Sequence, residues 1–255
     1  MPNINELTDM PRKDLHIFYV LDTSGSMEGA NISALNHAME ETTEDLRTLA
    51  KKNGDAKLKI AVLSFNTGAE WITKNGPEYL EGDFEYEYLK AGGLTDMGAA
   101  LNELNAKLSQ HEFLGSMMGA LMPVIIFMTD GYATDNYEGA LEEIRKNKWF
   151  ARATKIGFAL GEDADVKMIA SVVGNSEAVI KVTDKELFQR LMRFVSVTTS
   201  MLRSQSATAA DAPTGADVLK QVDGIPDEAK VSLDKADYNP EPPIPADDVW
   251  GEDQW

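Results

Sequence analysis

The chain contains no cysteine. Disulfides, thiolate zinc sites and cysteine nucleophiles are excluded, and the composition suits a reducing compartment. Histidine is almost as scarce, limited to His16, His37 and His111. None is placed as the base of a serine-hydrolase triad, and each reads as a structural or surface residue. Long apolar runs are missing too. The longest, "LMPVIIFM", is too short to span a bilayer and contains Pro123. The opening "MPNINELTDMPRKDLH" has no apolar core of a signal peptide. These features predict a soluble, cytoplasmic protein without membrane partners. Positive charge is also short: 24 Lys and Arg face 42 Asp and Glu, a net charge of −18. Nucleic acid, whose phosphates would be repelled, is a poor partner. No P-loop or G-x-G-x-x-G turn is present, which speaks against nucleotide binding.

What is present is an alternation. Short β-branched or aromatic runs occur at "HIFYVL", "LKIAVLSF", "EWIT", "PVIIFMT", "TKIGFAL" and "AVIKV". Between them lie helical stripes, with Leu35, Met39, Thr42, Leu46 and Leu49 in the first and Leu101, Leu104 and Leu108 in the second. Leu187, Leu191, Phe194 and Val195 mark the last. This order predicts an α/β fold: a doubly wound, mostly parallel, Rossmann-like sheet with helices on both faces. The stretch "FNTGAEWITKNG", with turn residues on each side of a short alternating run, predicts a hairpin and one short antiparallel edge strand.

Composition divides the chain into an N-terminal extension (1–13), a folded domain (14–205) and a tail (206–255). The tail has twelve acidic residues against three lysines, and six of the ten prolines follow residue 206. It is expected to be acidic and largely disordered. Trp250 and Trp255 at its end are candidate partner contacts, or a matter of chance composition.

In such a sheet, ligands bind beyond the carboxyl ends of the strands. Three loops there carry oxygen donors: "LDTSGSM" with Asp22, Ser24 and Ser26, "GGLTDMG" with Thr95 and Asp96, and "MTDGYATD" with Thr129, Asp130 and Asp135. The donors are hard oxygens with no nitrogen or sulfur, which suits Mg2+ or Mn2+ with water completing the shell. Gly25 between the two serines permits a tight turn. Each fragment also has a plain structural reading. Ser26 and Thr95 can cap helices, Asp22 can form an Asx turn, and "TDG" is an ordinary turn. Together the three loops favour a metal site.

"DTSGS", "GGLTDMGAAL" and "FMTDG" resemble the metal-ion-dependent adhesion site (MIDAS) of the von Willebrand factor A domain family, with the resemblance covering roughly residues 14–205. It implies a doubly wound sheet with a short antiparallel edge strand, and a metal held by Ser24, Ser26, Thr95, Asp22 and Asp130. Asp96 and Asp135 are candidates to support those ligands. The resemblance further implies a binding module, not an enzyme, in which a partner protein's Glu or Asp completes the metal shell. The loops "NTGAEW", "HEFLGSMMGALM" and "GYATDNY" would supply specificity, and Met117, Met118 and Met122 either pack the core or offer adaptable apolar contacts.

"FMTDGYATDNYEGALEEI" looks most like the bacterial tellurium-resistance-associated branch of the family. That implies a stress-response or defence setting with protein kinases and phosphatases as companions. Some members of the branch carry a cysteine-rich zinc module that this chain lacks. Two alternatives stand beside this reading. One is an aspartyl-phosphate phosphatase-like enzyme, which would need a second carboxylate where Ser24 stands. The other is a metal-free scaffold whose acidic tail is autoinhibitory, a docking segment or merely solubilising.

Overall fold

A computed structural model describes residues 12–73, 76–82, 84–109, 120–206 and 212–242. His111, Met117, Met118, Trp250 and Trp255 lie outside the described residues, as does most of the loop "HEFLGSMMGALM". The strands are β1 (Lys13–Asp22), β2 (Ala56–Asn66), β3 (Gly68–Trp71), β4 (Glu78–Tyr79), β5 (Val124–Thr129), β6 (Thr154–Leu160) and β7 (Val179–Val182). The helices are α1 (Ala30–Lys52), α2 (Met97–Leu108), α3 (Tyr137–Ile144), α4 (Lys148–Ala151), α5 (Val166–Val173), α6 (Lys185–Gln205) and α7 (Gly215–Leu219).

The sheet order is β3-β2-β1-β5-β6-β7. From β2 to β7 the pairs are parallel, whereas β3 pairs antiparallel with β2 at the edge. The two-residue β4, too short to read from pattern, also pairs antiparallel with β2, further along. The chain runs outward from β1 to β3, then returns to the other side of β1 for β5. The strand order therefore reverses between β1 and β5, the topological switch point where such sheets bind ligands.

β1 is buried at almost every position because helices cover both of its faces. Leu15, Ile17, Tyr19 and Leu21 face one core, shared with Leu35, Met39 and Leu46 of α1 and Phe188, Leu191 and Val195 of α6. Phe18 and Val20 face the other, with Leu101 and Leu104 of α2, Leu141 of α3 and Ile169 of α5. Of the stripe expected on α6, Leu191 and Val195 are fully buried, whereas Phe194 is 50% exposed and Phe188 and Met192 complete the buried face. Met122 is buried and belongs to the interior.

Two expected boundaries need correction. Lys13 already belongs to β1. More importantly, residues 212–242 are not a disordered tail but a strap around the β7 edge. Thr214 and Asp217 form a reciprocal capping box at the start of α7. Gly215 lies so close to the sheet that a Cβ there would meet the Lys155 carbonyl oxygen at 1.9 Å, a contact only glycine tolerates. Val218, Ile225 and Ala229 are buried against the α1–α6 core. Lys230 bridges Ile180 antiparallel, covering the outer edge of β7. The strap ends where Glu241 accepts from Lys155 Nζ at 2.9 Å and its own amide donates to the Gly174 carbonyl. Its few apolar anchors are aperiodic, so their burial left no stripe in the sequence.

Candidate metal centre

Asp22 is the last residue of β1 and Asp130 directly follows β5, so adjacent central strands deliver two carboxylates to the switch point. Asp22 is fully buried. Its Oδ1 accepts from the Ser24 amide at 2.7 Å, and its Oδ2 accepts a short hydrogen bond from the Thr129 hydroxyl. Burial pushes the Asp22 carboxyl above the usual carboxylate range, and the negative charge of Asp130 adds to that. Among the described residues no Lys, Arg or His forms an ion pair with either aspartate.

The hydroxyls continue the array. Ser24 Oγ and Ser26 Oγ are 3.0 Å apart, and Ser26 Oγ donates to Asp130 Oδ1 at 2.7 Å. A Cβ built at Gly131 would sit 3.5 Å from Ser26 Oγ and 3.9 Å from Thr95 Oγ1, so both oxygens border the same glycine. Ser24 and Thr95 are buried, Asp130 is half-buried and Ser26 is exposed, which leaves the array open on one side.

The loops are fastened to one another through backbone. Gly25 N donates to the Gly93 carbonyl at 3.0 Å, and Gly92 N donates to the Thr23 carbonyl at 2.9 Å. A Cβ on Gly25 would press to 3.3 Å from that Gly93 oxygen.

The helix-capping reading fails for the hydroxyls. α1 begins behind Gly29, and Ser26 caps nothing in it. α2 begins behind Asp96, and its first amides are served by Asp135, which accepts from Gly98 N at 2.9 Å and Ala99 N at 3.0 Å. Asp96 instead accepts from Gly68 N and from the Thr134 hydroxyl, which itself accepts from Thr95 N at 3.0 Å. Asp96 and Asp135 thus hold the Thr95 loop in place. The Asx-turn reading of Asp22 is realised through its bond to Ser24 N, alongside its place in the array.

Sequence reasoning missed Asn31, whose Nδ2 donates to Asp130 Oδ2 at 2.7 Å, and Thr134. Asn31 sits in the first turn of α1, one short loop after the serines, and that position was the available signal. Among the described residues no three His, Cys, Asp or Glu side chains converge as a metal cluster. An array of two carboxylates and three hydroxyls has no such cluster.

The donor set fits a hard divalent cation. Its members are all oxygen, it places two carboxylates together with no basic partner, and its hydroxyls are not consumed by caps.

The sequence matches the family described as von Willebrand factor type A domain over residues 16–193. Solved structures share the fold. The von Willebrand factor type A protein from Catenulispora acidiphila is 17% identical with a TM-score of 0.56, over 73% of this chain and 42% of that one. Proximal thread matrix protein 1 from the mussel byssus, in a form with a zinc-occupied MIDAS motif, is 17% identical with a TM-score of 0.53, over 73% and 46%. The PilB minor pilin from Streptococcus sanguinis is 15% identical with a TM-score of 0.54, over 76% and 62%. This chain spans less than half the length of the first two. No curated protein matches the sequence. With well over half of its residues inside the family match, the chain belongs to the von Willebrand factor type A domain family.

Proposed function

We propose that the domain is a metal-dependent protein-interaction module whose bound cation receives a Glu or Asp side chain from a partner protein. The observation that carries this reading is the convergence of Ser24, Ser26 and Thr95 with Asp22 and Asp130 at the β1–β5 switch point, with the three hydroxyls free of capping duty. A divalent cation there would supply a Lewis-acidic position for a carboxylate. Asp22, Ser24, Ser26, Thr95 and Asp130 would hold it, while Asn31, Thr129 and Thr134 orient them. The all-oxygen donor set favours Mg2+ or Mn2+. The zinc-occupied motif of the mussel protein supports a divalent ion in this class of site.

The module binds and does not catalyse. An aspartyl-phosphate phosphatase needs a general acid two residues after its nucleophile, where this chain has Ser24. It would also need a lysine in a later strand-end loop, and Lys155 lies near the start of β6, away from the carboxyl ends of the strands. Nucleic acid is disfavoured by the charge of −18. Among the described residues no helix is long and apolar enough to cross a membrane. A cytoplasmic setting in bacterial stress response or defence, near kinases and phosphatases, rests on the likeness of residues 127–144 to the tellurium-resistance-associated branch.

Calorimetric titration with Mg2+ and Mn2+ tests the site. We expect binding in the wild type and none in Asp22→Ala or in Ser24→Ala/Ser26→Ala. Binding that survives in both variants would place the metal elsewhere and sink the proposal.

A further inference from the structure

A cleft of about 610 Å3 lies between the loop after β5, the start of α5 and the last turn of the strap. Its charged groups are already engaged. Asp165 caps α5 by accepting from Met168 N at 3.0 Å, and Lys167 meets Asp237 at 3.3 Å. Arg145 donates to the Ser171 and Asn239 carbonyls at 2.6 Å each. What remains for a ligand is Tyr132, Tyr137 and Tyr238, with Met168 and Leu233. Such a lining suits a large uncharged side chain, an aromatic one above all. Tyr132 is 63% exposed and follows Asp130 by two residues, at most about 7 Å of backbone, so the cleft adjoins the proposed carboxylate position.

The strap delivers the chain to this cleft. Asn239 lines it, and the Glu241 amide then bonds to the Gly174 carbonyl just past α5. Residues 243–255 follow, and they repeat one unit, acid-acid-x-tryptophan, as Asp247-Asp248-Val249-Trp250 and Glu252-Asp253-Gln254-Trp255. Each unit holds an aspartate two residues before a tryptophan, the same separation as Asp130 and Tyr132. Reach is ample. The eight residues from Pro242 to Trp250 can span about 27 Å, whereas turning back along α5 requires about 12 Å.

Resting on the metal-dependent reading above, we infer that residues 243–255 occupy this cleft, seating a tryptophan among the three tyrosines and offering the aspartate two residues before it to the proposed cation. The chain thereby fills its own metal position until a partner's acid displaces it. Without the cation, Asp22 and Asp130 repel an incoming carboxylate, so the docking depends on metal.

The test compares the full chain with its Trp250→Ala/Trp255→Ala variant by amide 1H–15N spectra. In Mg2+ the two should differ at Tyr132 and at residues 164–168, and in EDTA they should coincide there. A synthetic peptide of residues 244–255, added in Mg2+, should shift those signals saturably in the variant. It should bind roughly 3- to 10-fold more weakly to the wild type, whose own segment competes. Asp248→Asn/Asp253→Asn should resemble the tryptophan variant. Spectra that coincide in Mg2+, or a peptide bound equally by both proteins, would overturn the proposal. Differences that fade on dilution would assign the segment to a second copy and overturn it too. Calorimetry of Mg2+ with the tryptophan variant reports separately on the metal reading: binding there with coincident spectra sinks the self-docking alone, and no binding sinks both.

Discussion

Two ends of the same sheet bury charge in opposite ways. At the start of β6, Lys155 is 3% exposed at its side chain, donates to the Phe150 carbonyl at 2.8 Å and meets both carboxylate oxygens of Glu241 at 2.9 Å. Burial pulls its ammonium below the usual range, and Glu241 opposes that. At the far end of the strands, Asp22 is buried with a second carboxylate nearby and only neutral donors around it. The first end supplies its own counter-charge from eighty-six residues away and is electrostatically complete. The second has no cation of its own among the described residues, which is the condition expected of a site built to take one from solution.

The largest effect should come from breaking the completed end. Glu241→Ala would leave a buried ammonium with one carbonyl partner and free the end of the strap, lowering stability by about 3 kcal/mol in urea unfolding. The pair Lys155→Met/Glu241→Gln should recover most of that loss, because both buried charges go together. Equal losses in the single and double variants would show that the ion pair is not what holds the strap.

At the incomplete end the sign reverses. Asp22→Asn should unfold in EDTA at the same or higher denaturant concentration than the wild type, since it removes a charge that burial disfavours. With Mg2+ at a hundred times its dissociation constant, the wild type should gain about 2.7 kcal/mol and Asp22→Asn nothing. A marked loss of stability for Asp22→Asn in EDTA would contradict this contrast and make Asp22 a structural residue.

His16 provides a third case, a buried group kept neutral. Burial, then the charge of Lys59, lowers its pKa from 6.5 to about 4, against a small opposing effect of Asp14, and neither ring nitrogen has a hydrogen-bond partner. A folded-state value below the unfolded one means that the unfolded chain takes up the proton first. Stability should therefore fall as pH drops below about 6.5, by about 2 kcal/mol at pH 5, and level off below pH 4. His16→Phe should flatten that part of the pH profile. An unchanged slope would assign the acid sensitivity to other groups.

How legible each end was in the sequence follows from how it is built. The apolar runs of β1 and β5 and the donors at their ends are local signals, so both the sheet and the array could be read. Asn31 and Thr134 were not, because an amide or hydroxyl in a loop has many uses until its partner is known. The strap was harder still. Its hold depends on Gly215 against a carbonyl, on scattered Val218 and Ile225, and on an ion pair between positions far apart, none of which makes a periodic pattern. The Thr214–Asp217 capping box was the one local sign of order there.

The register of the central strands has a mechanical consequence. Asp22 and Asp130 cap β1 and β5, which lie side by side in parallel from Ile17 against Val124 to Leu21 against Met128. Tension applied to those two aspartates runs down both strands along their axes. Neither is peeled from the sheet, and the load spreads across neighbouring ladders that must slide as a whole before any gives way. A tether fastened at this point would load two buried, paired central strands along their length.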